Sequence, residues 1–77
     1  MAQSVDITGA GTVSVNVNGV ASVVRAGTLE ALLADLGYAE QKVATAVNGE
    51  FVAARRRAQT LLRAGDEIEI VAPQQGG

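Results

Sequence analysis

Residues 13–37 read VSVNVNGVASVVRAGTLEALLADLG, and two different periodicities meet inside that stretch. Val13, Val15 and Val17 alternate with Ser14 and Asn16, the period-two pattern of a half-buried strand. The run enters Asn18-Gly19, the dipeptide best suited to a type I′ turn because both residues accept positive φ, and returns through Val20, Ser22, Val23 and Val24. A hairpin is expected. The period then changes. Thr28 is a helix N-cap candidate, Glu30 places an anion in the first turn, and Leu29, Leu32, Leu33 and Leu36 stand at i, i+3, i+4 and i+7. Gly37 can close the helix in the left-handed conformation. The spacing predicts four leucines on one face, serving as the lid of a sheet rather than as a groove filler for a partner.

Toward the C-terminus the strand pattern resumes. Val43, Thr45 and Val47 lead to a second Asn-Gly pair at 48 and 49, with Phe51 and Val52 on the return. Arg55, Arg56 and Arg57 then form a basic run, read as a solvated loop or helical turn. Ala64-Gly65-Asp66 supplies turn chemistry before Glu67-Ile68-Glu69-Ile70-Val71, in which the isoleucines face the core and Glu69 and Val71 the other side. Toward the N-terminus, residues 1–12 (MAQSVDITGAGT) are small and polar and are expected to form a loose leader. Gly9 and Gly11 do not make a dinucleotide loop, because no strand pattern precedes them, no helix follows and the third glycine is missing.

Hairpins are antiparallel, whereas strands joined through a helix need a crossover. A mixed sheet of four to five strands with one helix packed across it, an α+β architecture of the β-grasp (ubiquitin-like) kind, buries all of these stripes together. The expected organisation is a leader at 1–12, a β-grasp domain at 13–72 and a C-terminal tail at 73–77. With 77 residues there is room for one domain. Its apolar stock is nearly all Val, Leu, Ile and Ala, with Tyr38 and Phe51 the two aromatics.

What is absent narrows function further. The chain has no Cys, His or Trp, so disulfides, thiolate nucleophiles, side-chain persulfides and Cys-ligated metals are excluded, and the commonest general base is missing. No pair of acids shares an obvious catalytic scaffold. A formal charge of −2 disfavours binding to a phosphate backbone, and two aromatics are too few for base stacking. Apolar stretches fall short of the roughly 18 residues of a membrane span, and no signal-peptide pattern opens the chain. The expectation is a soluble, cytoplasmic, non-enzymatic protein that binds neither nucleic acid nor membrane, and binds no cofactor or metal itself.

After the last strand pattern come Ala72-Pro73-Gln74-Gln75-Gly76-Gly77. Pro73 removes a ladder donor and fixes φ, and no apolar anchor follows it. Five residues from Pro73 to Gly77 span roughly 16–18 Å when extended, enough to enter the active site of another protein. Two terminal glycines can thread a narrow channel and leave the last carboxylate sterically open. Read alone, a Gly-Gly ending also fits an idle, frayed tail; read as a working end, Gly77 is the candidate reactive residue, with Gly76, Gln75, Gln74 and Pro73 as the partner-binding tail and Val71 and Glu69 as a candidate docking surface.

From Val13 to Gly77 the sequence resembles the ThiS family, the sulfur carriers of the thiamin pathway. The resemblance rests on Asn18-Gly19, Thr28-Leu29 with Leu32-Leu33 and Leu36-Gly37, Ala46-Val47-Asn48-Gly49-Glu50, Gly65-Asp66-Glu67-Ile68-Glu69-Ile70-Val71 and the closing Gly76-Gly77. It implies that a ThiF-like, ATP-using enzyme adenylates the Gly77 carboxylate. Sulfur from a donor such as a cysteine desulfurase then converts it to a thiocarboxylate, which a ThiG-like thiazole synthase consumes. Three alternatives stand beside it: the small subunit of molybdopterin synthase (MoaD-like), a ubiquitin-like protein modifier, and a β-grasp interaction module whose tail is idle.

Overall fold

The computed structural model describes residues 11–73. Among these residues, five strands, one α-helix and one 3₁₀ helix follow in the order β1 (Thr12–Val17), β2 (Val20–Arg25), α1 (Leu29–Asp35), β3 (Ala44–Val47), β4 (Glu50–Val52), the 3₁₀ helix (Ala54–Gln59) and β5 (Glu67–Val71). The sheet order is β2-β1-β5-β3-β4, so the last strand in sequence is the middle one in space. β5 runs parallel to β1 and antiparallel to β3, while β1–β2 and β3–β4 are antiparallel hairpins. This is the expected mixed sheet, with five strands.

Both hairpins turn on Asn-Gly with positive φ at both residues: 50° and 83° at Asn18 and Gly19, 53° and 84° at Asn48 and Gly49. That is the type I′ geometry, whose twist matches the strands it joins. The helix begins where Thr28 Oγ1 accepts the Ala31 amide at 3.1 Å, and the Leu29 amide donates to the Thr60 carbonyl at 2.8 Å, so two of the four orphan donors find partners. It ends in a Schellman motif, with Gly37 at φ 92°. There the Tyr38 amide donates to Leu33 and the Gly37 amide to Ala34.

The core lies between the helix and one face of the sheet. Val15, Leu29, Leu32, Leu33, Leu62, Ile68 and Ile70 are buried, and Val13, Val17, Val24, Tyr38, Val43, Val47 and Val52 pack around them. Removing each large aliphatic side chain from water contributes about 1.5–3 kcal/mol, which places the stability of the domain in this layer.

Three expectations need correction. Leu36 is not part of the leucine lid: it is 45% exposed, because the Schellman closure makes it the C-cap of a seven-residue helix and turns it off the buried stripe. Residue 12, expected in the leader, belongs to β1. Thr12 already pairs with Arg25, and the Gly11 carbonyl accepts the Ala26 amide at 2.8 Å, while residues 1–10 lie outside the described part. The basic run is also not uniformly solvated. Arg55 and Arg56 are exposed on the 3₁₀ helix, but Arg57 is half-buried against β3.

Candidate functional site

The tail leaves the sheet from its centre. In β5 the burial alternates: Ile68 and Ile70 are buried beneath the helix, and Glu67, Glu69 and Val71 are exposed on the opposite face. Ala72 and Pro73 follow as exposed residues. Gln74, Gln75, Gly76 and Gly77, the rest of the candidate tail with its reactive end, lie outside the described residues.

Hydrogen bonds show why the strand stops at Val71. Ile68 and Ile70 direct their backbone groups toward β1, since the Asn18 amide donates to the Ile68 carbonyl and the Ile70 amide donates to the Asn18 side chain. Alternation then sends the backbone groups of Glu69 and Val71 toward β3, where they pair with Ala46 and Ala44. The next residue aimed at β3 is Pro73, opposite Lys42, and it has no N–H to donate. Proline therefore ends the ladder at the last register pair, Ala44 with Val71.

The candidate docking residues Val71 and Glu69 share the outer face with β3 and β4. Register places Phe51 opposite Ala46 and Ala46 opposite Glu69, with Val71 beside Ala44 one row nearer the tail. Phe51 is 72% exposed and Val71 61%. A shallow apolar depression lined by Lys42, Val43, Ala44, Val71 and Pro73 lies at the root of the tail. On this face the apolar side chains of Phe51 and Val71 stand exposed beside the acids Glu67 and Glu69. Among the described residues no three His, Cys, Asp or Glu side chains gather as a metal-ligand set. None of their helices is long and apolar enough to cross a membrane.

Several structural residues carried no sequence signal of their role. Leu62 is buried although it belongs to no periodic stripe, and its amide donates to the Gly27 carbonyl at 2.9 Å, tying the chain after the 3₁₀ helix to the start of α1. Arg57 donates from Nη2 to the Val43 carbonyl and from Nε to Thr45 Oγ1 at 3.1 Å. Thr45, only 2% exposed, in turn donates to the Val52 carbonyl at 2.8 Å.

The pattern of the ThiS family matches residues 15–77, from within β1 through Gly77. The chain belongs to the ThiS family. ThiS proteins are small sulfur carriers and not themselves catalysts. Among solved structures, the crystal structure of a thiamine biosynthesis protein (ThiS) from Geobacter metallireducens is similar to this chain, with a TM-score of 0.71 and 28% sequence identity. The match covers 83% of this chain and 99% of that one, so the whole ThiS domain has its counterpart here. No curated protein matches the chain.

Proposed function

We propose that this ThiS-family chain is a cytoplasmic sulfur carrier for thiazole formation in thiamin biosynthesis, and that its working group is the Gly77 carboxylate. The observation that carries this reading is the family match running through Gly77, on a chain with no cysteine and with the tail rooted at the exposed end of the central strand. The thiamine biosynthesis role of the Geobacter metallireducens protein points to the same pathway.

A carboxylate is a poor electrophile and must be activated before sulfur can enter. A Gly77 oxygen attacks the α-phosphorus of ATP held by a ThiF-like enzyme, and pyrophosphate leaves. Persulfide sulfur from a donor such as a cysteine desulfurase, reduced by a thiol to the oxidation level of hydrosulfide with formation of a disulfide, then adds to the acyl carbon of the adenylate. AMP departs with the oxygen, leaving a thiocarboxylate whose soft sulfur a ThiG-like thiazole synthase takes up. This chain supplies the reactive end and the surfaces that present it. Pro73, Gln74, Gln75 and Gly76 are the segment that threads the partner's channel, and Glu69 and Val71 belong to the docking face.

The test is intact-mass analysis of the full chain after incubation with a ThiF-like activator, ATP and a sulfur source. The expected product carries one sulfur in place of one oxygen, on the terminal residue alone. A variant lacking Gly76 and Gly77 should keep its circular dichroism spectrum and acquire no sulfur. An unchanged mass, with an activator proven competent on another carrier, overturns the proposal.

A further inference from the structure

Asn18 and Asn48 do more than permit a tight turn, because each sends its carboxamide across to the backbone of β5. In a regular parallel ladder the Asn18 backbone would donate to Ile68 and accept from Ile70. The first bond is present at 2.8 Å, but with φ at 50° the chain has already turned away, and the second is made by the side chain: the Ile70 amide donates to Asn18 Oδ1 at 2.8 Å. Asn18 Nδ2 then donates to the Ile70 carbonyl at 3.2 Å, standing where the amide of a continuing strand would stand. One side chain thus imitates the next peptide group of β1 and extends the ladder past the turn.

Asn48 does half of this at the other end of β5, its Nδ2 donating instead to Asp66 Oδ1 at 2.9 Å. Its backbone amide donates to the Glu67 carbonyl at 2.7 Å, and its Oδ1 accepts the Glu67 amide at 3.0 Å. The two sites differ in what they adjoin. Glu67 begins the strand, whereas Ile70 is the last residue held from the β1 side, next to Val71, the last held from the β3 side.

We propose that Asn18 is a positioning residue for loading the C-terminal carboxylate: its carboxamide pins the root of the tail at Ile70, so that the tail departs the sheet from a fixed point. The proposal rests on the carrier reading above. Without the carboxamide the last attachment on the β1 side retreats to Ile68, and the freed residues must be ordered when the activating enzyme engages the tail. That cost falls on binding and persists in the transition state, so KM rises while kcat holds.

The experiment compares Asn18→Gly with Asn48→Gly in the full chain, since glycine keeps the positive φ of either turn and removes only the carboxamide. Amide hydrogen exchange is expected to accelerate about tenfold at Ile70 in Asn18→Gly and at Glu67 in Asn48→Gly, with similar losses in unfolding midpoint. In loading by a ThiF-like activator with ATP and a sulfur source, Asn18→Gly should raise KM for the carrier about tenfold with kcat within about twofold, and Asn48→Gly should leave both within about twofold. Equal KM values for the two variants, whether raised or not, overturn the positioning role and leave the carrier reading intact. A wild-type chain that takes up no sulfur overturns both. Should Asn18→Gly fail to fold, Asn18→Asp serves instead, because it keeps an acceptor for the Ile70 amide and loses the donor to the Ile70 carbonyl; an unchanged KM in that variant also overturns the proposal.

Discussion

The two hairpins are built on the same turn and are supported in different ways. β1 and β2 share six register pairs, from Thr12 with Arg25 to Val17 with Val20, and need little beyond their own ladder. β3 and β4 share three, and β4 ends at Val52 while β3 continues to Ala44. Beyond that end the Val43 carbonyl has lost its strand partner, and the Arg57 guanidinium takes it, while Thr45 Oγ1 links Arg57 to Val52. The difference teaches that an Asn-Gly pair specifies the reversal, but side chains distant in sequence decide how far each hairpin holds.

The sharpest way to break the comparison is to remove the buried hydroxyl. Thr45→Val keeps the shape of the side chain and strands the Arg57 Nε donor, half-buried, without its acceptor. The expected cost is about 2–3 kcal/mol, measured by chemical denaturation. In the longer hairpin, the Ser22 hydroxyl makes only an exposed local bond to the Val20 carbonyl, and Ser22→Val should stay within about 0.5 kcal/mol. Equal effects from the two substitutions would mean that the short hairpin holds without Arg57. The double variant Thr45→Val with Arg57→Leu should cost less than the sum of the two single changes by about 1 kcal/mol, because the stranded donor disappears with the arginine.

Sequence reading succeeded where the signal is local. Alternating valines, both Asn-Gly turns, the Thr28 cap and the Gly37 closure depend on neighbours a few residues away, and the structure has each of them. Leu36 shows the limit of counting by helical spacing: its i+7 position is on the leucine face only if the helix lasts that long, and the Schellman closure ends it first. Arg57 was unreadable for another reason. Its partners are the Val43 carbonyl just before β3 and the Thr45 hydroxyl on it, 14 and 12 residues away, and a basic run does not reveal which member turns inward. Leu62 is buried by the segment that crosses Gly27, outside any period. At the candidate site, elimination of side-chain chemistry pointed to the chain end, and alternation in β5 placed Val71 and Glu69 on the face away from the helix. The bonds from Asn18 to Ile70 span 52 residues and carry no pattern in the sequence.

Next in size is a change within one turn. Asn48→Ala should cost about 2 kcal/mol, combining the lost carboxamide bonds with alanine's poorer tolerance of φ 53°, a left-handed conformation that asparagine accepts more readily, which is of the order of 1 kcal/mol. Asn48→Gly should cost about half as much, since it loses the bonds and avoids the strain. The same pair of substitutions at Asn18 should give the same stability series in denaturant, which sharpens the comparison: the two turns are then equivalent in folding, and a difference in loading belongs to the tail alone. A flat series, with alanine and glycine alike, would mean that the positive φ carries no strain at these positions.

The smallest effect separates the hairpins by pH. Arg25 of β2 donates from Nη2 and Nε to the Asp35 carboxylate at 2.8 and 2.9 Å, joining the first hairpin to the end of α1. That hydrogen bonding holds the Asp35 carboxyl below its ordinary pKa, and the positive charge of Arg25 adds to the effect, while desolvation opposes it. A depressed carboxyl stabilises the fold above its unfolded pKa of about 4, and the contribution is lost as pH falls through the lower folded value. Asp35→Asn removes that dependence, so the stability gap between the wild type and the variant should close progressively below about pH 4, and should also narrow in high salt, because the pair is open to water. Thr45→Val removes no carboxylate, so its cost should be the same above and below about pH 4. A gap for Asp35→Asn that is unchanged by acid and by salt would show that the ion pair does not tie the first hairpin to the helix.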